Sequence, residues 1–572
     1  MKVFWRTLFF TAIVALIYAL CSMNNGADRD LWHRLAVGQI FWQTGILNHD
    51  IFAYTPVKNL WVDHEWGSGV IFYSLAHLAG DYGLIFLKIF LLFAVFLAIY
   101  SANRLKSNKN DNLRIGFYTI TIFAILVGFQ STVRSQVFTY FFFALWIYLL
   151  ERIRTGEKTS LKHCFKYIWI FPATMLLWSN LHGGFIAGFG LLGIYAVGEF
   201  LNRKNPLIYL TILAISLPVT LINPYGPKFW DYMITAVTMP RPYITEWQPL
   251  NLLAPVLEFI AFKILLLITL LGWGYKILSK NKQIDMNEFK FQNSFLLGRT
   301  SDIQHSRCRI PGRVVKSFQR QLIDVASAFF HSRCRIDWTG AILLAVTLYL
   351  SVRHQRHVVF FAMAASIFSY QYFYEFINAV YRKYIDKLWN FLPLKKQELV
   401  LFTVKSIIFL NIIALSIYIG IKNPLTIKVH DAEYPTKAVE FIKINNIKGN
   451  LLLPFNWGSY ALWKLHPQCK VSIDGRYEET YPDFVYKEVT DFAFYNKGWD
   501  NVLRKYHNDI ILLPLDTETY KQLKKLKNWK MIYKDKYSAI FIPASAISKK
   551  WKMPDKNINY SKTKFCTCPG KF

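Results

Sequence analysis

The stretch Ala27-Asp28-Arg29-Asp30-Leu31-Trp32-His33-Arg34 opens a polar segment that closes with Trp61-Val62-Asp63-His64-Glu65-Trp66. The segment follows the first apolar run of the chain directly, and further long apolar runs come after it. Carboxylates beside a bilayer are costly unless they are paired, hydrated or used. A loop dense in Asp, Glu, His and Trp therefore indicates a reaction site for a polar substrate. The alternative is a solvated loop that its tryptophans anchor at the interface.

The composition is that of a polytopic membrane protein. Of 572 residues, 53% are hydrophobic and only 18% are charged, which is less charge than soluble domains carry. Several apolar runs approach the roughly 20 residues that a spanning helix needs. The net charge of +31 comes largely from Lys and Arg in short loops beside these runs, which is the positive-inside pattern. We therefore expect membrane lipid, and no nucleic acid, as a partner.

The apolar runs predict a mainly α domain over residues 1–421, placed in a bacterial inner (plasma) membrane with its N-terminus in the cytoplasm. We expect about eleven spanning helices, at 4–22, 82–103, 115–130, 137–151, 168–179, 184–201, 207–222, 256–278, 338–352, 358–373 and 402–421.

Two loops of this domain have features of their own. Residues 27–80 form the outer loop that carries the polar segment, and two short surface helices are expected within it. Leu31, Leu35 and Trp42 share one face of the first, and the second covers 67–79. Residues 279–337 form a long basic cytoplasmic loop, in which the sequence HSRCRI at 305–310 recurs at 331–336.

The composition changes after residue 421. Strand and helix patterns alternate over about 430–545, which predicts an extracytoplasmic α/β domain at 422–545. The predicted strands contain residues 451–453, 470–473, 509–513 and 539–542. Asp474 and Arg476 follow one of them, and we interpret them as a turn rather than a binding pair. The Lys-rich tail at 546–572 is expected to be disordered.

A few cations fall on the outer side, against the charge pattern of the other loops. They are Arg353, His354 and Arg356 in one turn and Arg134 in another. Topogenesis disfavours positive charge outside, so these residues indicate an anionic ligand such as a phosphate, which Arg binds as a bidentate fork. The alternative is an ion pair to an outer carboxylate such as Glu246.

Acids on the first outer loop and cations on later outer turns suit a lipid-linked sugar phosphate. In an inverting transfer, a carboxylate such as Asp28 or Asp30 would act as general base on the acceptor hydroxyl. The phosphate leaving group needs cations or a metal to take its charge. The Asp-x-Asp pair is a tentative ligand set for a divalent cation, Mg²⁺ or Mn²⁺.

Other polar residues near the same surface are candidates too. His64 and Glu65 are the rival acid/base pair, and Glu246 is a further candidate for substrate binding. Asn180 and His182 lie on a tight outer turn, where they would hydrogen-bond sugar hydroxyls. A helix-capping Asn and a packed His are the alternative interpretation.

An acidic outer loop directly after the first helix, with short surface helices inside it, resembles the GT-C superfamily of integral-membrane glycosyltransferases. The protein O-mannosyltransferases and the aminoarabinose transferases of lipid A belong to it. The resemblance implies a polyprenyl-phosphate-linked sugar donor, a glycan, lipid or protein acceptor, and a catalytic acid at Asp28 or Asp30. Many relatives have adjacent acids, whereas Arg29 separates them here. Arg29 would then neutralise one acid and leave Asp30 as the base.

Much of the chain also resembles a bacterial group of uncharacterised multi-pass membrane proteins, which supplies no reaction of its own. The similarity is carried by short motifs at 30–33 (DLWH), 61–66 (WVDHEW), 180–184 (NLHGG), 246–247 (EW), 353–356 (RHQR) and 473–476 (IDGR).

Two other functions remain open from the sequence. A transporter or flippase of a lipid-linked or anionic substrate would favour inverted repeats and charged or broken helices at mid-membrane. A non-catalytic membrane assembly protein would depend on its outer domain at 430–545 and not on Asp30.

Overall fold

The computed structural model describes residues 2–106, 113–156, 167–239, 241, 244–297, 336–384, 393–546 and 551–555. Its first part is helical, as an apolar chain in lipid must be, because a helix satisfies every backbone polar group internally. The helices are α1 Lys2–Met23, α2 Arg29–Thr44, α3 Trp66–Ala79, α4 Asp81–Lys106, α5 Leu113–Leu126, α6 Gln136–Thr155, α7 Ile170–Leu181, α8 Ile186–Leu201, α9 Leu207–Val219, α10 Lys228–Thr238, α11 Ile260–Leu297, α12 Trp338–Arg353, α13 Val358–Phe368, α14 Tyr370–Tyr384 and α15 Leu394–Lys422.

By length and composition, six segments of the described chain can cross a membrane, which makes this a multi-pass membrane protein. They are Val3–Met23, Asp81–Lys106, Gln136–Thr155, Gly183–Leu201, Leu257–Ser279 and Leu399–Lys422. Four shorter apolar helices accompany them, at Leu113–Phe129, Ile170–Leu181, Leu207–Val219 and Trp338–Arg353. Each predicted span falls mainly on a helix, while the count of eleven crossings stays a prediction.

The first part of the predicted cytoplasmic loop at 279–337 is helical, because α11 does not end near residue 278 but continues to Leu297. Except for Ile336, the repeat at 305–310 and 331–336 lies outside the described residues.

Buried ion pairs join several helices at the end of the bundle opposite the polar segment. Arg154 on α6 binds Glu199 at 2.7 Å and also pairs with Asp337, which caps α12. Lys106, the last residue of α4, binds the buried Glu151 at 3.1 Å. Arg134, which immediately precedes α6, lies at the other end of that helix from Arg154.

The outer loop folds as two helices in contact. The side chain of Asp28 accepts a hydrogen bond from the Asp30 backbone N–H at 2.9 Å and so caps α2. Gly38 on α2 lies against Gly69 on α3, where an added Cβ would overlap the Gly69 carbonyl oxygen. This backbone contact sets the distance between α2 and α3.

The chain after α15 forms a mixed five-stranded sheet with helices around it. The strands are β1 Gly449–Leu452, β2 Cys469–Val471, β3 Ile510–Pro514, β4 Trp529–Lys534 and β5 Ser538–Pro543, in the order β2-β1-β3-β5-β4. The pairs β1–β2 and β1–β3 are parallel, and β5 is antiparallel to both β3 and β4. The helices are α16 Thr436–Ile444, α17 Phe455–Leu465, α18 Tyr477–Thr480, α19 Asp483–Phe494, α20 Asn501–Lys505 and α21 Glu518–Leu523.

This α/β domain packs directly on the outer loop. Helix α2 is buried between α3 and α17, and Trp42 remains 63% exposed near its end. Its expected position along the membrane surface stays a prediction. Arg476 is fully buried and pairs with Asp474 at 2.7 Å and with Asp50 of the outer loop at 2.8 Å. The Asp474–Arg476 pair therefore joins the domain to the loop, in agreement with its interpretation as a structural turn.

Candidate active site

Three carboxylates surround one guanidinium at the outer end of the helices. Arg134, which precedes α6, binds Glu246 at 2.7 Å, Asp30 at 2.8 Å and Asp28 at 3.3 Å. The side chain of Asp30 is 41% exposed, whereas that of Asp28 is 11% exposed. The structure thus brings together three predicted acids and one predicted outer cation, and Asp30 is the acid that a substrate can reach.

The environment of Asp28 favours its neutral form more than water does. Burial raises the pKa of Asp28 from 3.8 to about 6; Arg134 opposes this shift, and the neighbouring Asp30 adds to it. Asp28 is therefore suited to orient Arg134 and α2, because it is the more enclosed of the two acids.

Arg29 does not neutralise these acids as expected from the sequence. Its guanidinium donates to the side-chain oxygen of Asn456 on α17 at 2.9 Å. The physical reason is the helix geometry: Arg29 is the first residue of α2 and faces the docked domain, while Arg134 reaches the acids from another element.

A second group of cations surrounds Trp247. Arg356 pairs with Glu246 at 3.3 Å and lies over the Trp247 ring at 4.6 Å. His354 contacts the Trp247 carbonyl oxygen through Nδ1 at 2.6 Å. Arg353 is exposed, and no carboxylate of the described chain pairs with it. The ion pairs to Glu246 that the sequence left as an alternative are therefore present for Arg134 and Arg356, and Arg353 remains available to an anion.

The turn between α7 and α8 positions His182 beside Glu65. His182 Nδ1 accepts the Gly184 backbone N–H at 2.8 Å, which leaves the proton on Nε2, 3.3 Å from Glu65 Oε1. Burial lowers the pKa of His182 to about 3, so its ring is neutral. His182 Nδ1 also lies 2.8 Å from Thr139 Oγ1 on α6, the helix that Arg134 precedes, which connects Glu65 to the outer cluster.

His64 lies between two carboxylates. Its Nδ1 is 2.9 Å from Glu479 and its Nε2 is 3.5 Å from Glu65. Burial alone would lower the pKa of His64, but Glu479 and Glu65 outweigh burial and raise it to about 10. The imidazole is therefore a cation.

Arg34 completes this inner cluster from α2. It pairs with Asp63, with Glu65 at 3.1 Å and with Glu479 at 3.2 Å. Burial would raise the pKa of Glu65, yet Arg34 and the two histidines hold it well below its usual range. Burial likewise opposes ionisation of Glu479, but Arg34 and His64 lower its pKa to about 2. Glu65 and Glu479 are thus weak bases that hold their neighbours in place.

Asn180 is fully engaged by the protein. Its Oδ1 accepts from Trp66 at 3.0 Å and from Asn223 at 3.1 Å, and its Nδ2 donates to two backbone carbonyls. Beside it lies a cavity of about 580 Å³ with mostly apolar walls. The walls include Val70, Ile71, Leu176, Leu177, Leu181 and Ile222.

The residues do not form a ready metal site. No group of three or more His, Cys, Asp or Glu side chains in the described ranges is arranged to hold a metal ion. Arg134 also binds oxygen atoms of both Asp28 and Asp30, which a divalent cation would have to displace. Metal binding at this pair stays a prediction.

Two residues of the site were not singled out from the sequence, Arg34 and Glu479. A usable signal existed for Arg34, since it lies three residues after Leu31 and is therefore next to the apolar face of α2. Glu479 lies 445 residues after Arg34, and no local pattern joins the two.

No protein-family model and no curated protein matches the chain. Solved structures whose fold is similar include the archaeal oligosaccharyltransferase AglB from Archaeoglobus fulgidus, in complex with an inhibitory peptide and a dolichol-phosphate. Identity to it is 12% and the TM-score is 0.46, over 96% of this chain and 75% of AglB.

ArnT from Cupriavidus metallidurans bound to undecaprenyl phosphate is also similar, with 11% identity and a TM-score of 0.49 over 96% of this chain and 100% of ArnT. For ArnT in the apo state, the identity is 11% and the TM-score 0.42, over 94% of this chain and 98% of ArnT. Because these identities and TM-scores are low, the function of the chain has to be inferred from its own side chains.

Proposed function

We propose that this chain is a membrane glycosyltransferase that moves a sugar from a polyprenyl-phosphate donor to an acceptor on the extracytoplasmic side. One observation carries the proposal: Arg134 holds an accessible carboxylate, Asp30, and Glu246 joins Arg134 to the turn of Arg356 and of Arg353, an exposed cation with no carboxylate partner among the described residues. A base and an anion-binding group on one surface are what transfer from a sugar phosphate needs.

Asp30 is the proposed general base. Its Oδ2 binds Arg134 at 2.8 Å, and its Oδ1 has no hydrogen-bond partner within the described chain. In the reaction, Oδ1 takes the proton of the acceptor hydroxyl, and the acceptor oxygen forms a bond to the anomeric carbon of the sugar. The bond from that carbon to the phosphate oxygen breaks, and the electron pair leaves with the polyprenyl phosphate.

The leaving phosphate gains charge as this bond breaks. Arg353 is exposed and unpaired within the described chain, and Arg356 is held by Glu246 and Trp247 in the same turn. A guanidinium group fixed before the reaction, as that of Arg356 is, stabilises developing charge without reorganising. We assign Arg353 and Arg356 to the donor phosphate, with His354 and Glu246 supporting that turn.

The cavity beside Asn180 suits the hydrocarbon tail of the donor. It has about 580 Å³ of space, mostly apolar walls, and a position next to the turn that carries His182. The isoprenoid chain comes from lipid rather than from water, so the cavity would hold it by van der Waals packing against its apolar walls. Asn180 and Trp66, whose side chains are hydrogen-bonded to each other, form the polar edge of this cavity.

The direct test is product formation by the purified full chain in lipid vesicles with a panel of radiolabelled polyprenyl-phosphate sugars. The proposal expects covalent transfer of label to an acceptor in membrane extracts, and it fails if no donor yields a product while the protein remains folded. Uptake of label into sealed vesicles without a product would identify a flippase instead. Parallel reactions with EDTA, and with Mg²⁺ or Mn²⁺ restored, test the divalent cation at Asp28 and Asp30.

A further inference from the structure

Glu479 joins the α/β domain to the polar cluster of the outer loop. Its carboxylate lies 2.9 Å from His64 Nδ1 and 3.2 Å from Arg34 Nη2, and it accepts the Trp61 indole N–H at 3.3 Å. All three partners belong to the outer loop. We propose, on the basis of the function proposed above, that Glu479 is a positioning residue that keeps His64 charged and thereby holds Glu65 in place at the active site.

The backbone that carries Glu479 is itself fixed. The Glu479 N–H donates to the Arg476 carbonyl at 3.0 Å, and Arg476 is fully buried between Asp474 and Asp50. The Lys58 N–H of the outer loop donates to the Thr480 carbonyl at 2.8 Å. Glu479 is 5% exposed, so its carboxylate has little freedom to turn away from His64 and Arg34.

His64 responds to charged and titratable groups on several elements packed around it. They are Glu479 on α18, Arg34 on α2, Asp63 and Glu65 beside it in the loop, His182 on the α7–α8 turn, and Tyr232 of α10, whose ring lies 5.1 Å away. Of these, Glu479 makes the shortest contact with the ring, and Glu65 makes the other carboxylate contact. Removing the charge of Glu479 leaves His64 buried beside Arg34 with one longer carboxylate contact.

The consequence reaches the outer cluster through Glu65. Its carboxylate is shared by Arg34, His64 and His182, and His182 Nδ1 lies 2.8 Å from Thr139 Oγ1 on α6, the helix that Arg134 precedes. A neutral His64 would hold Glu65 less firmly, and Glu65 would then hold His182 less firmly. We therefore expect the rate of transfer to depend on Glu479, although Glu479 touches no reacting atom.

The test observes His64 directly. The full chain with ¹⁵N-labelled histidine is reconstituted in lipid, and solid-state NMR distinguishes imidazolium from neutral imidazole, with His64→Gln used to assign the signal. We expect the imidazolium of His64 to lose its proton about 1–3 pH units lower in Glu479→Gln than in the wild type, since losing an opposite charge this close moves a pKa by about that much. Loss of the His64 proton at the same pH in both proteins, or a neutral ring in the wild type at neutral pH, would overturn the proposal.

Two further variants distinguish the positioning role of Glu479 from a general loss of structure. Glu479→Asp keeps the charge and should retain imidazolium at His64 and part of the transfer rate. Glu488→Gln makes the same chemical change in the same domain, where Glu488 binds Lys505 at 2.7 Å away from the site, and it should change neither readout.

In transfer assays, Glu479→Gln should lower kcat and leave the KM of the donor unchanged. The NMR measurement on His64 does not need a sugar donor. The proposed role of Glu479 and the proposed transferase function can therefore fail separately. An altered His64 signal without product from any donor would refute the transferase alone.

Discussion

Arg134 is the residue on which the outer cluster depends. Its guanidinium binds Asp28, Asp30 and Glu246 together, and neither a lysine nor a neutral side chain can replace that fork. We expect Arg134→Gln to abolish transfer and to lower the thermal unfolding temperature, because three carboxylates would then face one another without their common cation.

Unfolding and transfer of Arg134→Gln are measured beside Arg504→Gln. Arg504 is 67% exposed and pairs with Asp500 within a helix turn, so its loss should cost at most about 0.5 kcal/mol. Wild-type transfer in Arg134→Gln would contradict the role of this cluster.

The pair of Glu479 and His64 gives stability a defined pH window. The pKa of Glu479 falls from 4.5 to about 2, so its contribution is present above pH 4.5 and is lost as the pH falls through about 2. The pKa of His64 rises from 6.5 to about 10, so its contribution is complete below pH 6.5 and is lost as the pH rises through about 10. The unfolding temperatures of wild type and Glu479→Gln should therefore differ most between pH 4.5 and 6.5. A difference that does not vary with pH would refute this coupling.

Single residues of the site were predictable where the sequence itself groups them. Asp28 and Asp30 stand together after the first helix, and His64 and Glu65 are neighbours in the chain. The partner of the two Asp residues was predicted wrongly, because Arg134 lies 104 residues after Asp30 and a backbone contact of Gly26 with Ser131 and Thr132 brings the two segments together. Pairings across the chain depend on that packing, which residue spacing does not encode.

At the scale of elements, the contact of α2 with α3 sets the position of Arg34 relative to Glu65. Gly38→Ala would place a Cβ onto the Gly69 carbonyl and 2.7 Å from the Tyr73 Cβ, so the two helices must separate. We expect a lower unfolding temperature and a reduced transfer rate in this variant.

Gly190→Ala on α8 is the matched control, because an added Cβ there meets no atom within 4 Å. It should leave both measurements unchanged or raise stability slightly, since alanine favours a helix over glycine by about 1 kcal/mol. If Gly38→Ala and Gly190→Ala had the same unfolding temperature and the same transfer rate, the close contact of α2 with α3 would not be required.

The elements were largely predictable because their hydrophobic periods are clear. Four strands lie where alternating apolar and polar residues predict them, and the two helices of the outer loop lie where residues share an apolar face. Strand β4 was missed, since Trp529–Lys534 is an edge strand with two lysines and several exposed side chains. The burial of α2 was missed as well, because an apolar helix face does not reveal whether lipid or another domain covers it.

At the scale of the whole molecule, the α/β domain and the membrane helices form one structure through buried charges. Arg476→Ala would leave Asp50 and Asp474 buried without their partner, which costs about 3–5 kcal/mol for a buried pair. We expect limited proteolysis to release the domain from this variant under conditions in which wild type is intact. Arg504→Ala, at an exposed pair, should resist proteolysis like the wild type.

The sequence predicted an outer domain, but it did not predict that this domain supplies a side chain to the site. That arrangement follows from docking of β2 and α18 on the outer loop, over separations of more than 400 residues. The orientation of the chain in the membrane stays a prediction from its charge pattern.

The central claim is that Asp30 removes the proton of the acceptor during sugar transfer. Single-turnover transfer from a radiolabelled polyprenyl-phosphate sugar, measured for wild type and Asp30→Asn in lipid alongside donor binding, tests it most directly. We predict that Asp30→Asn binds the donor normally and transfers the sugar at least about 100-fold more slowly, as expected for the loss of a general base. Transfer at the wild-type rate by a folded Asp30→Asn variant would contradict the claim.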